Sequence, residues 1–477
     1  MVINLKNNRY NKIVLFFPPG WESLMPPLGI SSIKSYLQLY GYDVFCIDFG
    51  RELNGRFFNG NRNDLDKCVK KIISLNPDVV GFTALQPKLR HLKSTLYIVK
   101  ELKKLSNQIK IIAGGPHAAY AGDALIELDF IDMVIRGEGE LSLLQYLTSS
   151  GFNTRKIIDS EWVNDLNKLP FPNFEDFDLS KYPLKTLPII TSRGCKMNCS
   201  FCGIKSNGIH GSFREKSPKR VISEIKEDIN KYGIDRFVFN DTLINANPRT
   251  MIKINENIIG NNFRIKWLAE AYPHISKSDL RIMHKAGCRF LYLCPESGSP
   301  DTIKKMNKLI DLNLVEKTIR NADRVGIKVS VWFIIGFPNE TYKDIEKTES
   351  FVKKIQKYCY EIVFVPFSLC KGSDIYNHPK KYGIESYEES KLDINIRKYT
   401  GVNILIPSDA IRFALKLWNK YDITNYSYPF LNHNEKEVSE LIKSIPSDNR
   451  EEVLNYIKES NNRKKYSYLS IYDKVFQ

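Results

Sequence analysis

No apolar run in this 477-residue chain approaches the roughly 18 to 20 residues that a membrane span requires, and the first residues, Met1 to Arg9, contain no signal-peptide apolar core. A cytoplasmic location is the expectation. Disulfide patterning is lacking too. The nine cysteines are an odd number, and Cys46, Cys68, Cys288, Cys294, Cys359 and Cys370 are scattered without pairing periodicity, as suits a reducing compartment. Lys and Arg number 70 against 54 Asp and Glu, a formal charge of +16 that is enough to draw polyanions. Yet no aromatic-interleaved basic stripe is present: the excess is spread over stretches such as Lys100 to Lys104, Lys353 to Lys357 and Arg463 to Lys465, which argues against a nucleic-acid partner. What remains is a chain that is 43% hydrophobic, globular, and long enough for about three domains at ~150 residues each.

The remaining three cysteines stand together in Thr191-Ser-Arg-Gly-Cys195-Lys-Met-Asn-Cys199-Ser-Phe-Cys202-Gly203, directly after the apolar run Leu187-Pro-Ile-Ile190. Three sulfurs this close, on a loop leaving a strand, suit a metal. Such a loop can wrap three corners of an iron–sulfur cubane and leave the fourth iron without a protein ligand. Zinc usually wants four ligands, and no fourth Cys or His follows Cys202 at zinc-like spacing, His210 being the nearest candidate. Three unrelated buried thiols would need coincidence at three positions.

The CxxxCxxC pattern with Phe201 before its last cysteine resembles the signature of the radical S-adenosylmethionine (SAM) enzymes. The resemblance implies a [4Fe-4S] cluster on Cys195, Cys199 and Cys202, whose open iron binds SAM, with Phe201 beside SAM. It also implies an external one-electron donor of flavodoxin or ferredoxin type.

Residues 1–150 alternate short apolar strands, near Ile13 to Phe17, Asp43 to Ile47, Val79 to Thr83, Lys110 to Ala113 and Met133 to Ile135, with helical stretches at Ile30 to Tyr40 and Leu92 to Leu105. Continuous apolar strands separated by helices indicate a doubly wound parallel sheet, whose ligand sites lie in the turns after the strands. Those turns are Pro18 to Gly29, Thr83-Ala-Leu-Gln-Pro87, Gly114-Gly-Pro-His117 and Gly137-Glu-Gly-Glu140. Together they resemble the cobalamin-binding domain that precedes many radical SAM enzymes, with Thr83-Ala84-Leu85 and Gly114-Gly115 matching its Ser/Thr-x-Leu and Gly-Gly turns. The resemblance places cobalamin against these residues and His117, Gly137 and Glu138. The first turn lacks Asp-x-His-x-x-Gly, so cobalamin is expected base-off, without a histidine from that turn. A loop histidine such as His117 is more often a surface hydrogen-bonder.

Residues 151–185 lose periodicity and gain turn signals, and are expected to be a linker. Over 186–385 strands are expected near Ile189 to Thr191, Phe237 to Asn240, Ile265 to Ala269, Phe290 to Cys294, Val329 to Ile335 and Ile362 to Pro366. Helices such as Pro218 to Tyr232 and Tyr342 to Tyr358 separate them. Six such units match the partial (β/α)6 barrel of the radical SAM enzymes, with its site at the strands' carboxyl ends. By resemblance, Asn240 and Asp241, Glu296 and Ser297, and Gly336 are SAM-contact positions, Gly336 letting adenine approach the backbone. Glu296 also reads as a barrel-mouth ion-pair partner, and Glu340 as a cap on the following helix. Cys370, after the last strand, is a candidate catalytic thiol, with nothing in the sequence to lower its pKa. Residues 386–477 read as a helical tail, with helices at 408–421, 435–444 and 449–459 and an aromatic cluster at 421–430.

The α/β chain as a whole resembles cobalamin-binding-domain radical SAM enzymes of the class B methyltransferase type. That resemblance implies methylation of an unactivated carbon or phosphorus centre of a small-molecule or peptide substrate, by way of cobalamin and a 5′-deoxyadenosyl radical. The alternative is radical oxidation, ring contraction or cyclisation without methyl transfer, cobalamin being an electron carrier or absent. A non-catalytic cofactor sensor would lack the SAM-contact positions.

Overall fold

The computed structural model describes residues 10–19, 23–53, 61–84, 89–148, 156–206, 212–389, 391–392, 395–396, 399–402, 405, 407–421, 451 and 455. It divides into two compact units, Met1–Gly194 with Asn207–Lys216 and Glu389–Ile394, and Cys195–Ser206 with Ser217–Glu388 and Asn395–Gln477.

In the first unit β1 (Lys12–Phe17), α1 (Leu28–Gln38), β2 (Asp43–Asp48), α2 (Phe49–Glu52), α3 (Arg62–Ser74), β3 (Val79–Thr83), α4 (Leu89–Leu105), β4 (Lys110–Gly114), α5 (Ala118–Ile126), β5 (Met133–Arg136), α6 (Gly139–Thr148) and β6 (Lys156–Asp159) follow in order. The sheet order is β2-β1-β3-β4-β5-β6, every pair parallel. Helices on both faces explain why the strand residues Ile13, Val14, Val79, Val80, Ile111 and Val134 are all fully buried. The order reverses between β1 and β3, which is where such sheets open a crevice for ligands.

The expected linker differs from the structure. Its residues 156–159 form β6, paired to β5, and the segment beyond is fastened to the unit's edge. Tyr182 donates to Asp48 Oδ2 at 2.8 Å, and Asp176 accepts from the Cys46 N–H while ion-pairing with buried Lys34. Desolvation pushes the Asp48 carboxyl up to about 6 against the hydrogen bonds from Ser23 and Tyr182 that hold it down. The first unit continues through β7 (Leu187–Ile189) and the hairpin of β8 (Ser192–Arg193) with β9 (Arg214–Glu215).

The second unit carries α7 (Gly203–Ser206), α8 (Pro218–Tyr232), β10 (Arg236–Phe239), α9 (Pro248–Gly260), β11 (Lys266–Ala271), α10 (Lys277–Lys285), β12 (Cys288–Glu296), α11 (Pro300–Lys305), α12 (Leu312–Val325), β13 (Lys328–Ile335), α13 (Tyr342–Ile355) and β14 (Glu361–Pro366). Strands β10 to β14 lie side by side in sequence order and parallel, the arrangement of a partial barrel. Local chemistry sets the helix ends. Ser217 caps α8 with Pro218 in its first turn and Gly233 at φ 66° behind it, and Thr341 with Asp344 forms a capping box on α13.

Among its described residues the tail is only partly helical. Short antiparallel strands β15 (Leu369–Cys370) with β17 (Asn395–Ile396), and β16 (Ile384–Tyr387) with β18 (Tyr399–Gly401), precede α15 (Pro407–Tyr421). The intervening α14 is Asp374–Asn377. Helix α15 packs on β14 and β13 and is tied to α13 by Lys420 and Tyr421, both on Glu349. Leu85, the helix expected at 435–444, all of the helix expected at 449–459 but Glu451 and Asn455, and most of the aromatic cluster lie outside the described residues.

Candidate active site and cofactor-binding turns

The cysteine loop is held by hydrogen bonds to its backbone. The Ser200 N–H donates to Met306 O at 2.9 Å, Ile375 N–H donates to Ser200 O at 3.0 Å, and the Asn307 amide donates to Asn198 O at 2.8 Å. Cys195, Cys199 and Cys202 stay partly accessible. Phe201 packs against the apolar cluster that contains Met306, Phe337 and Phe367. Burial pushes the Cys199 thiol up to about 11, with Lys308 opposing and Glu296 and the other two thiols adding; Cys202 is raised by burial and by Cys195. Thiols close enough to oppose one another's ionisation need a cationic centre to become thiolates together. Among the described residues no three His, Cys, Asp or Glu side chains converge on a point fit for a single metal ion. Sulfurs that each take a different iron of a cluster have no need to converge.

At the ends of β12 and β13 the residues separate into those facing the mouth and those spent on packing. Glu296, at φ 68°, pairs with Lys308 at 2.6 Å, and both side chains are buried. The ion-pair reading of Glu296 therefore holds. Ser297 is fully buried, its hydroxyl beside Thr348 and accepting from the Ser299 N–H; the fold accounts for it without a ligand. Asn240 is exposed and Asp241 buried. Gly336 has φ 84°, and a Cβ there would collide with the Ala410 Cβ of α15, so helix packing already requires this glycine.

Glu340 does not cap α13; Thr341 does. The Glu340 carboxylate turns back to accept from the Gly336 N–H at 2.6 Å, leaving Oε1 without a hydrogen-bond partner. Desolvation pushes its pKa up to about 8. Cys370 stands beside Cys202, and burial together with that thiol pushes it up to about 11. This is the opposite of an activated nucleophile.

In the first unit, the turns after β3 and β4 lock together. Ala84 N–H donates to Gly114 O, and His117 N–H donates to Ala84 O. A Cβ on Gly115, at φ 89°, would lie 2.8 Å from the Thr83 methyl, whereas one on Gly114 would meet nothing within 4 Å among the described residues. Gly115 thus serves turn-on-turn packing, and Gly114 leaves the open space. His117 is fully buried, contrary to its reading as a surface residue, because the Gly114-Gly115 turn folds it under Ala84. Glu138 is committed elsewhere. It pairs with Arg214 at 2.8 Å and Arg193 at 3.3 Å and accepts from the Val163 N–H. Against desolvation, the two guanidinium groups hold it below the usual carboxylate range. Arg193 also pairs with Glu140 at 2.6 Å.

Two family patterns match the chain, the B12 binding domain over residues 21–147 and the Radical SAM superfamily over residues 189–352. An uncharacterized methyltransferase of Pyrococcus horikoshii is 27% identical over 421 residues, which are 82% of this chain and 87% of that protein. The anaerobic magnesium-protoporphyrin IX monomethyl ester cyclase of Rubrivivax gelatinosus is 26% identical over 375 residues, 70% of this chain and 64% of that one. In fold, the chain resembles the radical SAM methyltransferase TsrM of Kitasatospora setae, solved with cobalamin and a [4Fe-4S] cluster. The TM-score is 0.68 at 14% identity, covering 95% of this chain and 99% of that one.

The chain carries a B12 binding domain followed by a Radical SAM domain. Its radical SAM domain implies a [4Fe-4S] cluster and SAM, and its B12-binding domain implies cobalamin. The residues present fit these groups: three accessible thiols on one clamped loop, and open space above Gly114 at the carboxyl end of β4. Sequence reasoning missed Lys308 and the two arginines, Arg193 and Arg214, that hold Glu138. Each takes its meaning from a partner outside its own segment. No helix among the described residues is long and apolar enough to cross a membrane.

Proposed function

We propose that this radical SAM protein is a cobalamin-dependent methyltransferase acting on an unactivated carbon or phosphorus centre of a small-molecule or peptide substrate. The observation that carries the reading is the presence, in one chain, of the clamped cysteine trio at the mouth of a parallel partial barrel and a doubly wound domain with open space at its Gly114 turn. The methyltransferase names of the Pyrococcus and Kitasatospora proteins support it.

In this reading Cys195, Cys199 and Cys202 hold the cluster, while Phe201, Asn240, Asp241 and Glu296 border SAM. Lys308 fixes the Glu296 carboxylate. Thr83, Ala84, Gly114 and Gly115 shape the cobalamin turn, and the first turn supplies no histidine to cobalt. Bound together, the cofactors supply one-electron reduction, radical generation and methyl carriage. The chain supplies position and a partly dry barrel interior. An external donor of flavodoxin or ferredoxin type delivers the electron.

The Rubrivivax relative's cyclase name favours one second reading, radical oxidation or cyclisation without methyl transfer. Co-products separate the two. Methyl transfer releases S-adenosylhomocysteine alongside 5′-deoxyadenosine, and the oxidative reaction releases no S-adenosylhomocysteine. Turnover yielding deoxyadenosine alone would overturn the methyltransferase reading.

A further inference from the structure

Strands β11 to β13 alternate between positions facing the helices and positions facing inward, with the two-residue period of a strand. Leu291 and Leu293 are buried while Tyr292 and Cys294 keep partial exposure, and Val331 and Phe333 are buried while Trp332 and Ile334 keep it. The partly accessible series is the inner face of the sheet. Glu270 joins it from β11. Register sets it opposite Tyr292, and the Cys294 thiol donates to its Oε1 over 3.8 Å.

Glu270 is exposed to solvent, yet desolvation is the leading cause that pushes its pKa up to about 7, with Glu296 adding and Lys308 opposing. A carboxyl that water reaches while protein walls surround it lines a concave cavity. Lys308 does not neutralise it, since the Lys308 ammonium is spent on Cys294 O and Glu296 Oε1, each at 2.6 Å. On the next strand the Phe239–Ala269 pairing brings Asn240, uncharged, level with Glu270. Level with the carboxyl stands Tyr292, whose ring meets that of Trp332 on the strand beyond edge to face, with centroids 6.4 Å apart. A carboxylate flanked by aromatic rings is the surface that recognises an ammonium group, through charge and ring quadrupole together.

Resting on the enzymatic reading above, we infer that Glu270, Tyr292 and Trp332 form a substrate subsite for a cationic nitrogen, so that the substrate is an amine carried on an apolar or aromatic frame. Binding draws Glu270 into its ionised form. The groups that face it are Cys294, Glu296 and Lys308, with Tyr272 just past the end of its own strand. With Glu270 near pH 7, its ionised fraction rises about tenfold between about pH 6 and about pH 8, and amine affinity rises with it. SAM also carries cationic groups, so the test distinguishes the two sources.

The test uses the full chain reconstituted with cluster and cobalamin, calorimetric titration, and phenethylamine compared with 2-phenylethanol, which replaces the ammonium by a hydroxyl. The wild-type protein is expected to bind phenethylamine at least about tenfold more tightly than the alcohol at about pH 8, and to lose about tenfold by about pH 6. Glu270→Gln loses the preference and the pH dependence, Glu270→Asp keeps both in weaker form, and SAM binding to all three proteins is unchanged. No amine preference in the wild type, or a preference that survives in Glu270→Gln, overturns the subsite. A fall in SAM affinity on Glu270→Gln overturns its assignment to substrate. The readout is binding, so absence of methyl transfer leaves this inference standing.

Discussion

Glu340 offers a quantitative check on the barrel mouth. Its carboxyl is 2% exposed, accepts one backbone N–H from Gly336 and has Oε1 unpartnered. Desolvation is the main cause that pushes its pKa from an ordinary 4.5 up to about 8, with nearby Asp344 adding and the Gly336 N–H opposing. Below about pH 4.5 the group is protonated both folded and unfolded, and its contribution to stability is fully present. As pH rises toward about 8 the unfolded chain gives up the proton and the folded protein keeps it, so stability falls. Above about 8 the loss is complete. At about 1.4 kcal/mol per pH unit the full loss is about 5 kcal/mol. Glu340→Gln cannot ionise, and its amide stands in for the protonated acid. In urea titrations followed by circular dichroism, the variant should match the wild type within about 1 kcal/mol near pH 5 and exceed it by roughly 3 to 5 kcal/mol near pH 8.5. Parallel pH profiles for the two proteins would refute the reasoning.

Changing Cys195, Cys199 and Cys202 together to Ala should abolish the four-iron cluster, whereas Cys370→Ala should retain it; iron and sulfide analysis after anaerobic reconstitution decides. Gly114→Val fills the open space above β4 and should lower cobalamin retention on desalting at least about tenfold, since a Cβ there meets nothing within 4 Å among the described residues; unchanged retention would place the cofactor elsewhere. Absorption spectra of the wild-type hydroxocobalamin complex should show no histidine ligation. Arg214→Ala leaves Glu138 buried with only part of its counter-charge and should cost about 3 kcal/mol by denaturant titration; a cost below about 0.5 kcal/mol would mark the pair as dispensable.

The parallel strands were legible because sheets covered on both faces are written as continuous apolar runs. Strand β6 escaped notice because Lys156-Ile-Ile-Asp159 is short, lies at the sheet's edge and is only half-buried. The cysteine loop was legible from spacing alone. Gly115 and Gly336 read as places where a cofactor approaches the backbone, whereas the groups that exclude a side chain there, the Thr83 methyl and the Ala410 Cβ, come from distant segments and were not legible. Glu340 and Thr341 are adjacent, and only the backbone path shows that Thr341 takes the cap while Glu340 closes the Gly336 turn. Lys308 sits in a run, Lys304-Lys-Met-Asn-Lys308, that looks like any solvated basic stretch. Its burial against Glu296, 12 residues upstream, follows from the return of α11 onto the strand ends.

The central claim is methyl transfer, and isotope tracing tests it most directly. The reconstituted protein, with cobalamin, a strong reductant, methyl-deuterated SAM and a protein-free extract of its source cells, should form a new product carrying all three deuteriums. That product should accumulate in step with S-adenosylhomocysteine and 5′-deoxyadenosine. Deoxyadenosine and an altered extract compound without deuterium would contradict the account.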